Sequence, residues 1–226
     1  MKLYSFWRSL AAFRVRIALK IKGQEFDTIT TDLLSGDQFS QEFMSLNPQS
    51  LVPALVLDSD NILTQSMAIL EYLEELYPSP PLLPEKSIER ARVRSLCMIA
   101  VADIHPLVVP RVRSYITKEF SLTEKDLESW ISNWTKIGLN AIEVQLSKYG
   151  DGGRYSFGDT VTLADLCIVP QVGAAKMFNI PLEKYPTATK VFNSCMELPE
   201  FFESRPQVQP DFPDDVQYIL ISNLLG

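Results

Sequence analysis

The sequence predicts an α+β chain in two parts: a small mixed four-stranded sheet with helices on both faces, then an all-helical domain. Three observations carry this. Short β-type runs alternate with helical spacing through residues 1–80. The stretch Pro78-Ser-Pro-Pro-Leu-Leu-Pro84 cannot continue a helix and reads as a stiff linker. Beyond it the long segments all carry helical spacing or composition, and none reads as a strand. The expected boundaries are 1–80 for the mixed domain, 87–205 for the helical domain and 206–226 for a tail.

In chain order, Lys2 to Phe6 reads as a strand running into a turn at Arg8-Ser9 and then a basic, amphipathic helix over about residues 10–22, with Val15, Ala18, Leu19 and Ile21 as its apolar stripe. Gly23 stops it in the manner of a C-terminal cap. Residues 25–30 read as the second strand, and Phe39, Phe43 and Leu46 mark a short second helix. Ala54–Leu57 and Ile62–Thr64 form a hairpin around the turn residues Asp58-Ser-Asp-Asn61. Ser66 to Tyr77 sets Met67, Ile69, Leu70, Leu73 and Leu76 against Glu71, Glu74 and Glu75, an amphipathic helix. Past the linker, helices are expected over 87–118, 123–149, 162–178 and 187–197, the first bent at Pro106 and Pro110. In Val161-Thr-Leu-Ala-Asp-Leu166, Thr162 and Asp165 form a capping box stapled by Val161 and Leu166. The tail ends in an apolar run, Tyr218 to Leu225.

Bulk properties narrow the function. The 226 residues carry a formal net charge of -7, with 46% hydrophobic and 22% charged residues. That is a packed globular composition, and its acidity argues against a nucleic-acid-binding surface, which needs clustered uncompensated cations. No apolar run reaches the length needed to cross a bilayer and no signal-peptide pattern opens the chain, so no membrane partner and a cytoplasmic location are expected. The 3 cysteines, Cys97, Cys167 and Cys195, are widely spaced and the chain has 1 histidine, which points to buried thiols and to no metal site.

The turn at Arg8-Ser9 is the first candidate site. A helix N-terminus presents unpaired N–H groups and a partial positive charge, a seat for an anion or thiolate, although an ordinary serine cap explains Ser9 alone. Several motifs then fall in a familiar order: Arg8-Ser9, Arg14-Val-Arg-Ile-Ala-Leu19, Leu51-Val-Pro-Ala-Leu55, Gln65-Ser66 opening a helix, the proline-rich linker, Asp103-Ile-His-Pro106 and the Thr162–Asp165 box. Together they resemble the glutathione transferase superfamily, with its thioredoxin-like N-terminal domain, and are similar to its zeta class of maleylacetoacetate and maleylpyruvate isomerases.

The resemblance implies glutathione as cofactor. Pro53 would be a cis proline, with the Val52 backbone pairing to the cysteinyl part of the tripeptide as an added strand does. Gln65 and Ser66 would hold the γ-glutamyl carboxylate, and Gln49, Asp103 and His105 would lie near the tripeptide. Ser9 would donate to the thiolate. Arg8, Arg111 and Lys176 would attract the carboxylates of a dianionic enone substrate, with the helical domain forming the substrate side. Arg14 and Arg16 lie further into the helix and read as structural. The implied reaction is a cis–trans isomerisation through reversible thiolate addition, in a homodimer. Departures bear on the substrate: Leu10 and Ala11 stand where the isomerases carry Ser-Cys, Val108 and Val109 where the family often has Asn-Asn, and Lys176-Met177 where related enzymes have paired Arg. An apolar pocket of this kind also suits conjugation or dehalogenation of a small hydrophobic electrophile, or a non-catalytic ligand-binding role.

Overall fold

The computed structural model describes residues 1–58 and 61–213. Its elements in chain order are β1 (Lys2–Ser5), α1 (Leu10–Ile21), β2 (Asp27–Thr30), α2 (Gln41–Leu46), β3 (Ala54–Val56), β4 (Ile62–Thr64), α3 (Ser66–Leu76), α4 (Ser87–Met98), a π-helical segment (Ile99–Ile104), α5 (His105–Val108), α6 (Pro110–Phe120), α7 (Glu124–Tyr149), α8 (Leu163–Met177), α9 (Pro186–Met196) and α10 (Pro199–Phe202). They group into two units. Met1–Leu82 and Glu197–Phe212 form the first, and Leu83–Met196 lies in the second.

In the first unit the sheet runs β2-β1-β3-β4. β1 pairs parallel with β2, Leu3 opposite Thr28, and antiparallel with β3, Leu3 opposite Leu55. The β3–β4 hairpin sets Leu55 opposite Leu63. Leu3 and Leu55 are fully buried, as are Ile69, Leu70 and Leu73 of α3. Of the expected hairpin turn, Ser59 and Asp60 lie outside the described residues; Asn61 donates its N–H and side-chain amide to the Asp58 carboxylate on the far side.

Two expectations change here. α1 is not amphipathic: Ala12 through Leu19 are all buried, including Arg14 at 0% and Arg16 at 1% exposure. The reason is that α3 packs on one side of α1 and α10 on another. The second change concerns the C-terminal boundary. Residues 197–212 join the first unit, where a helical domain through 205 and a separate tail from 206 were expected. The apolar run 218–225 lies outside the described residues.

The second unit is helical throughout, as expected. α8 is its centre, buried along nearly its whole length and packed on α4 and α9. The long helix expected over 87–118 is instead four pieces. Its backbone widens into the π-helical segment, and it bends by 42° at Val109, whose extended backbone precedes Pro110. Gly138 of α7 lies against the end of the π segment, where a Cβ would overlap Cγ1 and Cδ1 of Ile104. Trp130 of α7 donates its indole N–H to the Leu107 carbonyl at 2.7 Å, so α7 holds the broken helix from one face. No single helix among the described residues is long and apolar enough to cross a membrane.

Candidate functional site

Ser9 is the N-cap of α1. Its backbone is extended, with φ -71° and ψ 115°, and its Oγ accepts the Ala12 N–H at 3.1 Å. That bond occupies a lone pair and leaves the hydroxyl proton available to a partner, on a residue that remains half-exposed. The Arg8 guanidinium beside it is largely buried, and its Nη1 has no hydrogen-bond partner among the described residues. Burial holds this guanidinium below its ordinary value, so an anion brought to it would recover lost solvation.

The remaining expected groups of this unit surround two turns. The Val52–Pro53 peptide bond is cis, and neither the amide nor the carbonyl of Val52 is taken up by another backbone group among the described residues. Gln65 precedes α3 with φ +68°, a left-handed value that L residues seldom adopt outside turns and sites, and one that local bonds must sustain. Its side-chain amide donates to Gln49 Oε1 at 2.7 Å, which brings two of the sequence candidates together. Asn47 organises the loop behind them, accepting from the Gln49 N–H at 3.0 Å and donating to the Leu51 carbonyl at 2.7 Å. Ser66 is 4% exposed and opens α3, so its own N–H belongs to the helix's unpaired first turn.

The two arginines of α1, read from the sequence as structural, are buried, and their partners are what the sequence did not name. Arg14 donates from Nη1 to Ser66 Oγ at 3.3 Å, tying the helix headed by Ser9 to the serine that heads α3. Arg16 reaches back beneath the turn. It donates to Ser5 Oγ at 2.9 Å, to the Trp7 carbonyl at 3.4 Å, to the Phe6 carbonyl at 3.5 Å and to the Ser204 carbonyl at 3.0 Å. Burial pushes its guanidinium down to about 10, against the attraction of the Asp211 carboxylate. The available signal was an i, i+2 arginine pair on a helix whose sides were otherwise apolar. Such a pair cannot share one solvent face.

In the second unit, Asp103 is exposed on the π-helical segment, and His105 is half-buried where that segment becomes α5. Arg111 is exposed in the first turn of α6, while Arg113, two residues on, is buried with its guanidinium 5.7 Å from the Phe178 ring. The Lys176 ammonium sits 4.1 Å from the centre of the Phe192 ring. Val108 is 4% exposed, so the apolar residue at this position is a core contact. The three cysteines form no disulfide and are buried, and among the described residues no cluster of metal-ligating side chains occurs.

Residues 1–75 match the glutathione S-transferase N-terminal domain model and residues 137–199 the C-terminal domain model. The chain is also 44% identical over 211 residues to a maleylpyruvate isomerase from Ralstonia sp, covering 93% of this chain and 99% of the relative. The chain belongs to the glutathione transferase superfamily. Within it, the similarity is to the zeta class. A holo structure of maleylpyruvate isomerase, described as a bacterial zeta-class glutathione S-transferase, matches with a TM-score of 0.91 at 43% identity, covering 94% of this chain and 100% of that one. A maleylacetoacetate isomerase from Methylobacterium extorquens AM1, solved with malonate and glutathione bound, matches at 0.90 and 41% identity with the same coverage. Family membership accounts for the thioredoxin-like sheet and for the order of the motifs from Ser9 to Asp165.

Proposed function

We propose that this transferase-family member is a glutathione-dependent cis–trans isomerase of a maleyl-type diacid, maleylpyruvate or maleylacetoacetate. The observation that carries the reading is the state of Ser9: its oxygen is engaged as a cap, its proton is not, and it heads a helix whose dipole favours negative charge. The named functions of the relatives and the glutathione and malonate in the Methylobacterium structure support it.

The residues of the first unit fit glutathione. Val52 offers an amide and a carbonyl beside Pro53, Ser66 and Gln65 stand at the head of α3, and Arg8 holds a buried Nη1 in want of an acceptor. Glutathione, when bound, supplies the thiolate whose reversible addition turns the substrate's double bond into a rotatable single bond. The chain's own part is to lower the thiol pKa through the Ser9 O–H and the α1 terminus, and to set carboxylates against cations. Arg8 adjoins Ser9 in the chain; Arg111 and Lys176, both exposed in the helical unit, are the other candidates for the diacid, and Asp103 and His105 for the tripeptide. A homodimer of the kind expected for the family completes this reading.

The deciding experiment is an ultraviolet assay of maleylpyruvate and maleylacetoacetate with and without glutathione. Turnover that requires glutathione is expected. Turnover of neither diacid, alongside conjugation of a neutral electrophile, would replace the reading with a transferase one. In the active case Arg111→Ala should lower kcat/KM for the dianion about tenfold and leave a neutral electrophile within about twofold, the difference expected of one charge-assisted contact.

A further inference from the structure

The C-terminal segment that the fold returns to the first unit ends on the catalytic turn. Asp211 Oδ2 accepts the Trp7 N–H at 2.8 Å, across 204 positions of sequence. The Trp7 carbonyl accepts from Arg16, whose Nε in turn donates to Ser204 of the same segment. Trp7 is therefore held at both of its backbone groups. Its indole is held as well, packed edge-on to Phe212 with centroids 5.1 Å apart and planes at 83°. Lys20 and Glu203 add an exposed ion pair at 2.8 Å further along α1. Ser9 is two residues from Trp7, and its own N–H closes the turn on the Phe6 carbonyl at 3.0 Å. No other backbone group between Phe6 and Ser9 receives a side chain from so far along the chain among the described residues.

We propose that Asp211 is a positioning residue for the Ser9 hydroxyl: by fixing the Trp7 peptide, it sets the direction in which the O–H points at the cofactor thiol. This rests on the assignment of Ser9 made above. The physical basis is that a hydrogen bond to a thiolate weakens steeply once the donor leaves its line, whereas the α1 dipole, spread over the first turn, is insensitive to a small shift of the cap. A carboxylate this near the turn would by charge alone raise the energy of a thiolate, so removing its charge and removing its hydrogen bond have opposite effects. That opposition makes the inference testable.

The experiment titrates the thiol of bound glutathione by its ultraviolet thiolate absorption, alongside kcat, KM and thermal melting, in the full chain and in Asp211→Ala, Asp211→Asn and Ser9→Ala. In Asp211→Ala the thiol pKa is expected to rise by about one unit, with kcat at neutral pH down about tenfold and the KM for glutathione within about twofold. Asp211→Asn, which keeps an acceptor oxygen without the charge, is expected to stay within about twofold of the parent. An unchanged or lowered thiol pKa in Asp211→Ala overturns the inference, as does an Asp211→Asn variant as impaired as the Ala one. A purely structural role would lower the melting temperature while leaving the thiol pKa in place, which also overturns it. If Ser9→Ala itself leaves the thiol pKa unmoved, the Ser9 assignment fails first, and the two failures are told apart by that variant alone.

Discussion

Ser9 caps α1, and the proposed donor role is compatible with that cap because a hydroxyl has two acceptor sites and one proton, and the Ala12 N–H uses only the former. Ser9→Ala should therefore lower kcat about 100-fold on the scale of a lost oxyanion-type donor, and destabilise the fold by only about 1 kcal/mol for the lost cap. Stopped-flow turnover and urea unfolding of the same sample measure the two effects separately. Arg14 carries a different load. Its Nη1 reaches Ser66 Oγ from inside the core, so in the proposed site it orients a residue assigned to the tripeptide and not to the thiol. Arg14→Lys keeps the charge and loses the planar fork. The expected result is a KM for glutathione raised about tenfold with kcat within about twofold, read from steady-state kinetics at saturating diacid.

Two helices of the second unit open with the same device in opposite surroundings. At α7, Thr123 Oγ1 accepts the Asp126 N–H while Asp126 Oδ2 accepts from the Thr123 amide and hydroxyl, in full exposure to water. Those bonds hold the Asp126 carboxyl below its ordinary value. At α8, Asp165 is wholly buried, and burial pushes its carboxyl up even though it accepts from Thr162 N–H and Oγ1 and from the Ser156 N–H. The signs of pH dependence differ accordingly. A lowered folded pKa gives Asp126 a contribution present above the unfolded carboxylate range, near pH 4, and lost as pH falls through the folded value. A raised one gives Asp165 a contribution fully present below that range and lost as pH rises through the folded value. In urea unfolding from pH 7 down to pH 3, the stability deficit of Asp126→Asn should shrink and that of Asp165→Asn should grow. Gly138 gives a second element-level outcome. Gly138→Ala gains helix propensity, about 1 kcal/mol, but drives a methyl into the buried Ile104 side chain. A net loss of about 1–2 kcal/mol is expected, recovered in part by Ile104→Val, as read by chemical denaturation.

At the scale of the molecule, the first unit closes on itself through one buried ion pair. Lys22 Nζ lies 2.6 Å from Glu74 Oε2 and donates to the Pro80 carbonyl at 2.6 Å, while both Glu74 oxygens accept the Leu82 N–H at 3.0 Å. α1, α3 and the start of the linker are thus fixed together with no solvent to screen them. Lys22→Met should cost about 3–5 kcal/mol by stranding the Glu74 charge, and Lys22→Met with Glu74→Leu should recover part of it, measured as urea midpoints. Much of this architecture was legible in the order of residues. β-type runs and helical spacing marked the strands and helices, Pro78 to Pro84 marked the linker, and the succession of Ser9, Val52-Pro53 and Gln65-Ser66 marked the family, because each of these features is local and acts within a few residues. The i, i+2 spacing showed that Arg14 and Arg16 could not both face solvent, but their partners were not legible, nor was the bond from Asp211 to Trp7. A side chain's surroundings depend on which distant segment covers it, and segment 197–212 comes to α1 only when the chain is folded. The sequence by itself determined the elements, the family motifs and the serine at the head of α1. The tertiary structure alone decided what holds that serine in place, since hydrogen bonds spanning some two hundred residues leave no period or spacing to read.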